Sequence, residues 1–291
     1  MVDLAAAARV VAAFEQAIGE LSLDAVQSAA KWWNGLSDVG AAPDVFASHL
    51  AEKWNQGAVL GVAFYRLLRA LHLGATVASP VKYHRNRGLT VGDLVREFNE
   101  ASGVKLNLGG LERQPIGVEP SGHVRATDLR AVDLAAAKDA LADRLEAARA
   151  RGGPRESDAA YAAGVAQQAT VGGARTMVEA SGSADKGLRG WVRVSGSGRP
   201  CAFCAMLLSR GAVYKSKQTA TTAKKPRADG TTGYHPNCKC YSLPVFANTD
   251  LKSSKFALNR ELHDVWHGEF SGKGLKGREG WRSFFYKKYG R

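Results

Sequence analysis

The sequence predicts a mainly α-helical protein: a helical N-terminal region followed by a small α+β module with short strands. Three observations predict it. Over the first half of the chain, apolar residues recur at alternating steps of three and four, the spacing of one helix face. All four cysteines fall in one stretch, from Cys201 to Cys240. Around that stretch lie three short β-like runs, Trp191-Val192-Arg193-Val194, Ala212-Val213-Tyr214 and Tyr241-Ser242-Leu243-Pro244-Val245.

Taken in order, Leu4, Ala7, Val11, Phe14, Ile18 and Leu21 form the stripe of a first helix. Ser22 reads as the N-cap of a second, carrying Val26, Ala29, Trp33 and Leu36. After a loop from Ser37 to Pro43, a third helix has Val45 or Phe46, Leu50 and Trp54 on one side. A fourth, Gly57 to Leu73, is apolar almost all round and should be the most buried. Trp32, Trp33, Trp54 and Phe64 read as core aromatics. The basic stretch Lys82-Tyr83-His84-Arg85-Asn86-Arg87 reads as a solvated connector, and Thr90 with Asp93 as a capping box opening a short helix with Leu94, Val95 and Phe98 inward. Residues 103–122, rich in Gly and Pro, are expected to be irregular with room for one hairpin.

A long helix is expected from Thr127 to Arg151, with Leu134, Leu141, Leu145 and Ala148 inward, stopped by Gly152-Gly153-Pro154. Another follows from Ser157 with Tyr161, Val165, Ala169 and Met177, bent at Gly172-Gly173. Beyond the cysteines, Ser253 to His267 suggests a helix, and the final segment from Trp281 to Tyr289 interleaves aromatics with bases. The reading divides the chain into a helical N-terminal domain (1–124), a helical stalk (125–183), a Cys/His module (184–250) and basic aromatic C-terminal helices (251–291).

Within the cysteine stretch, Cys201-x-x-Cys204 is followed after a gap spanning residues 205–234 by His235-x-x-Cys238-x-Cys240. A Cys-x-x-Cys turn directs two thiolates at one point, and a second Cys/His cluster completes the four ligands of a tetrahedral structural zinc. Cys201, Cys204, His235, Cys238 and Cys240 are five candidates for four positions. Disulfides and unligated buried thiols are the alternatives. The chain opens with an acid, Asp3, and alanines broken by Arg9 and Glu15, which is not the pattern of a secretory signal. Cytosolic synthesis, where thiols stay reduced, favours metal. The most apolar run, Gly57 to Tyr65, is too short to span a bilayer, so no membrane role is expected.

Nothing in the sequence makes a convincing enzyme. Each thiol has another within three residues, which suits a metal site better than a nucleophile. No acid lies inside either knuckle to act as the base of a catalytic zinc. His263 and His267, one turn apart, lack the glutamate that a zinc-hydrolase helix carries and read as exposed polar residues. No phosphate-binding loop appears, and no small-molecule substrate is expected.

Charge divides the chain sharply. Residues 151–291 hold 24 Lys and Arg against 10 Asp and Glu, and the first 150 residues 16 against 17, so the net charge of +13 comes from the second half. Clustered bases suit a polyanion such as nucleic acid. The candidate nucleic-acid contacts are Lys215, Lys217, Lys224, Lys225 and Arg227 in the loop between the knuckles, and Lys287 and Lys288 near the C-terminus.

The run Trp191-Val192-Arg193-Val194, Cys201-Ala202-Phe203-Cys204-Ala205-Met206-Leu207-Leu208-Ser209-Arg210-Gly211 and His235-Pro236-Asn237-Cys238-Lys239-Cys240 resembles the Mu F-like (phage head morphogenesis) minor capsid proteins of tailed bacteriophages, in their actinobacteriophage form. The resemblance extends from about Tyr161 to the end of the chain. It implies a low-copy protein of the capsid interior, present in host cytoplasm during assembly, that associates with the phage portal protein and packaged DNA, with the major capsid or scaffold protein as further contacts. A zinc-knuckle DNA-binding protein is the alternative, and a zinc-dependent hydrolase or nuclease a more distant one.

Overall fold

The computed structural model describes residues 3–35, 42–79, 88–119, 135–152, 156–183, 185–211, 239–247, 252, 254–272, 274 and 276–290. These are predominantly α-helical, with two small β-sheets. They form two compact units, one ending at Asp185 and one beginning at Lys186.

The first unit is built on three long helices, α1 (Leu4–Asn34), α2 (Ala42–Leu73) and α5 (Glu156–Ser183). The expected first and second helices are one. Asp3 caps α1 by accepting the Ala6 N–H at 2.8 Å, and no proline interrupts the next thirty positions. Ser22 does not cap: its hydroxyl donates to the Ile18 carbonyl at 2.6 Å, the mid-helix alternative open to serine. The expected third and fourth helices are also one, α2, with Pro43 in its first turn where no N–H is needed. The aromatic expectation holds for Trp33, Trp54 and Phe64, all buried, and Phe14 stacks on Phe64 with centroids 4.0 Å apart.

Helices α2 and α5 meet backbone to backbone. A Cβ added to Gly57 would lie 1.9 Å from the Thr170 carbonyl oxygen, one on Gly61 2.5 Å from that of Ala174, and one on Gly173 2.1 Å from that of Trp54. Of the glycine pair expected to bend α5, Gly173 instead lets the helix approach, and α5 runs unbroken. Trp33, Phe46, Leu50, Trp54, Ala162 and Met177 fill the core beside this crossing, and Leu145 of α4 (Ala135–Ala150) joins them. The segment expected as a stalk is thus, in α4 and α5, part of this core. Asp158 on α5 accepts from Arg144 and Arg151 at 3.4 and 2.8 Å.

Between α2 and α4, Thr90 and Asp93 form the expected reciprocal capping box of α3 (Val91–Ser102), which buries Val91, Leu94, Val95 and Phe98. The expected hairpin is replaced by a 3-10 turn, Gly109–Arg113, and by β2 (Gly117–Glu119), which pairs in parallel with β1 (Ala75–Val77). A parallel pair requires a crossover, and α3 supplies it.

Arg66 and Arg69, which follow the most apolar run of α2, are themselves buried. Arg66 donates to the Val77 carbonyl and pairs with Glu97 at 3.1 Å. Arg69 donates to the Ala75 carbonyl at 2.7 Å and pairs with Glu119 at 2.5 Å and Asp185 at 2.6 Å. Two arginines one turn apart thus grip alternate carbonyls of β1. Tyr65 completes the cluster by donating to Asp185 at 2.6 Å; burial first, then that carboxylate, raises its pKa. For Arg69 the loss of solvation is outweighed by Asp185 and Glu119, and its pKa rises; for Arg66 burial prevails over Glu97, and its pKa falls.

The second unit centres on an antiparallel hairpin-like pair, β3 (Gly190–Ser195) with β4 (Cys240–Val245). The short helix α6 (Ala202–Leu208) follows β3. The expected helix beyond β4 is present in three pieces: a 3-10 turn (Ser254–Phe256), α7 (Ala257–Asp264) and a π-helical segment (Val265–Ser271). Then comes α8 (Gly277–Tyr289). Trp266, Phe270, Trp281, Phe284 and Phe285 cluster with neighbouring centroids 4.7 to 5.8 Å apart, and the Trp281 indole N–H donates to the Ala202 carbonyl at 2.7 Å. In the C-terminal segment that interleaves aromatics with bases, Trp281 and Phe285 are thus core residues of this unit, while Tyr289 is exposed.

Candidate functional site

Register decides what the β3–β4 ladder presents. Residues paired across an antiparallel ladder share a face, and successive residues alternate. Val192, Val194, Tyr241, Leu243 and Val245 therefore line an apolar face, while Trp191, Arg193, Ser195, Cys240, Ser242 and Pro244 line the other. Arg193, Cys240 and Ser242 are nonetheless buried, which makes the second face an enclosed polar surface rather than a wet one.

Helix α6 brings the first knuckle to that face. Cys201 is its N-cap, and the Cys201 sulfur accepts the Cys204 N–H at 3.4 Å. Cys204 is fully buried, and Arg193 Nη2 donates to its sulfur at 3.6 Å. Asn259 of α7 ties the parts together, donating to the Arg193 carbonyl at 2.8 Å and to that of Leu208 at 3.1 Å. A thiol pair and a buried guanidinium are thus brought together by α6, β3 and α7, while Cys240 lies on the same ladder face as Arg193.

Paired cysteine sulfurs are donors of the kind that zinc takes, and here the Cys201 sulfur already receives a backbone N–H. Among the described residues, no three His, Cys, Asp or Glu side chains come together to hold a metal ion. Cys201, Cys204 and Cys240 therefore do not make a complete set by themselves. The other two candidates, His235 and Cys238, lie outside the described residues, as do Lys215, Lys217, Lys224, Lys225, Arg227 and the expected strand at 212–214.

Of the remaining expected contacts, Lys287 is exposed on α8, whereas Lys288 is held by both oxygens of Glu269 at 2.8 Å. Arg278, over the Phe203 ring at 4.6 Å, and Arg282, over Tyr286 at 5.9 Å, are exposed bases of the same helix that were not singled out. His263 and His267 are exposed as expected, with ring centroids 4.4 Å apart. Tyr289 donates to Glu261, and partial burial followed by that bond pushes its pKa up to about 12. Sequence reasoning missed Arg193 and Asn259. A lone cation between Val192 and Val194 was the available signal, since alternation puts it on the face of Ser195 and not with the valines.

The profile of one protein family, described as VG15 protein, matches residues 122–268, just over half of the chain. That span takes in α4, α5, the β3–β4 ladder, α6 and α7. No curated protein and no solved structure matches. Among the described residues, no helix is long and apolar enough to cross a membrane.

Proposed function

The chain belongs to the VG15 protein family, a family of phage proteins, and from that premise we propose that it is a minor capsid, head-morphogenesis protein of a tailed phage, of the Mu F-like kind, whose second unit is a zinc-stabilised module. The observation that carries the module is the seating of Cys201 and Cys204 at the start of α6, one sulfur taking a backbone N–H and the other a buried guanidinium. One such pair supplies half of a tetrahedral site. His235 and Cys238 supply the rest.

The zinc is structural: it bonds the start of α6 to the segment leading into β4 and so stabilises a unit whose sheet, among the described residues, has two strands. Its bases face packaged DNA or the portal protein in the capsid interior, with shell or scaffold protein as further contacts. No catalytic role is assigned. A second reading, a zinc-knuckle DNA-binding protein, is favoured by the exposed Arg278, Arg282 and Lys287. It predicts binding that weakens steeply with salt and prefers particular sequences; salt-sensitive binding without preference leaves the packaging role.

Elemental analysis of the full chain, purified without added metal, is expected to find about one zinc per molecule, the stoichiometry of one four-ligand site. Cys201→Ser should lose it and lower the unfolding transition of the second unit while leaving that of the first in place. A metal-free chain with both units fully folded would overturn the zinc module. Mass spectrometry of purified DNA-filled capsids should detect the protein, and its absence there would overturn the capsid assignment.

A further inference from the structure

His263 stands in the last turn of α7, and His267 lies four residues on, in the π-helical segment that continues it. Residues four apart share a helix face. Both imidazoles are exposed, with ring centroids 4.4 Å apart and planes inclined at 45°. Metal–nitrogen bonds of about 2 Å put two imidazoles on adjacent positions of one ion with their centres about 4.5 Å apart. The observed spacing meets that requirement.

The contact of His263 with its neighbour points the same way. Its Nδ1 stands 3.4 Å from Asp264 Oδ1. An ionised carboxylate only accepts, so the proton of the neutral ring lies on Nδ1 and Nε2 keeps its lone pair. That is how metal-ligating histidines are held, their other ring N–H given to a carboxylate. The nearby acids are engaged elsewhere: Glu261 accepts from Tyr289 at 3.0 Å and Glu269 from Lys288 at 2.8 Å. Among the described residues, no group of three His, Cys, Asp or Glu forms here to close a coordination sphere.

We infer that His263 and His267 form an open surface site for a divalent first-row transition cation, with two imidazoles on adjacent positions, water on the rest, and Asp264 orienting His263. Adjacent positions at about a right angle suit tetragonal and octahedral ions, so nickel(II) and copper(II) fit the pair better than tetrahedral zinc. The site uses no thiol and is independent of the zinc reading above. Two protein ligands hold an ion loosely, so it fills only when metal is supplied.

Nickel(II) titrated calorimetrically into the full chain as purified tests the site, with thiolate-to-nickel bands in the near ultraviolet reporting separately any nickel on the cysteines. One nickel that depends on the two histidines is expected, and it should raise the unfolding transition of the second unit. His263→Gln and His267→Gln change exposed helical positions where glutamine is a good helix former. Each should weaken that binding at least about 10-fold and abolish the rise, since losing a ligand costs no less than losing an outer-shell partner. Asp264→Ala should weaken it about 10-fold, the low end of the outer-shell range. Nickel binding that survives both histidine substitutions, or no binding at millimolar nickel, would overturn the inference. Unchanged affinity in Asp264→Ala would overturn the role given to Asp264.

Discussion

The two units solve the same problem, keeping short polar backbone and buried charge satisfied, by different means. In the first, α2 and α5 touch through bare backbone at Gly57, Gly61 and Gly173, and buried arginines are answered by carboxylates within the unit. In the second, two short strands and five helical pieces among the described residues hold one enclosed polar face, and the buried arginine meets sulfur. The contrast teaches that the first unit answers its buried arginines with carboxylates on neighbouring elements, whereas in the second a buried arginine is set against a cysteine sulfur across a strand–helix contact. Substitutions should therefore act on the two units through different physics.

The largest effect is expected from Gly57→Ala. The new Cβ would lie 1.9 Å from a backbone carbonyl that cannot rotate away, so the helices must separate along their whole contact. Overpacking of this kind should cost at least about 3 kcal/mol. Gly19→Ala, on α1 with nothing within 4 Å, is the control and should be neutral or stabilise by up to about 1 kcal/mol. Urea unfolding followed by Trp33 and Trp54 fluorescence separates them. Equal midpoints for the two variants would break the claim that the first unit depends on backbone contact.

Next comes Arg69→Met, which leaves Asp185 buried without its strongest partner. Breaking one side of a buried pair costs about 3 to 5 kcal/mol, and removing both sides costs less. The double variant with Asp185→Leu should accordingly be more stable than Arg69→Met alone. If the double variant is the weaker of the two in the same urea experiment, the cluster is not the closed ion network described here.

Much of the first unit was legible because helix periodicity is local. The stripe from Leu4 to Leu21 and the capping box at Thr90 and Asp93 needed only residues a few positions apart. The junctions at Ser22 and at Trp54–Gly57 misled because serine and glycine have two uses. Serine can donate to its own helix, and glycine can mark close packing as well as a break. Only the helix each residue meets distinguishes these, and that helix is more than a hundred positions away for Gly57. In the second unit the strands and the Cys201–Cys204 pair were readable. The burial of Trp281 against Ala202, and the approach of Arg193 to Cys204, depend on register and on long-range closure that no local spacing encodes.

Trp281→Phe sharpens the comparison from the side of the second unit. It keeps most of the ring volume but removes the N–H donated to the Ala202 carbonyl, one residue from the Cys201 cap. A buried acceptor left unpaired costs about 1 to 3 kcal/mol. The loss should appear in the unfolding of the second unit and leave the first unchanged. A shift of equal size in both transitions would show that the two are not separable.

The smallest effect is a pH dependence in the first unit. His49, on α2, has its pKa lowered from 6.5 by burial and then by Lys53, against weaker opposition from Glu52 and Asp24. The Ser28 hydroxyl donates to the Asp24 carbonyl at 2.7 Å, so toward His49 its oxygen accepts from Nε2–H at 3.1 Å. Protonation keeps that bond, and the penalty comes from burial and from the neighbouring ammonium. An unfolded chain binds the proton at the ordinary value of 6.5, before the folded one does. The contribution of His49 is therefore complete above pH 6.5 and is lost as pH falls from there toward the lower folded value. Unfolding measured on both sides of pH 6.5 should show the first unit weakening on acidification, and His49→Gln should flatten that part of the profile. An identical slope in the variant would mean that the acid sensitivity lies with the carboxylates around Arg66 and Arg69 instead.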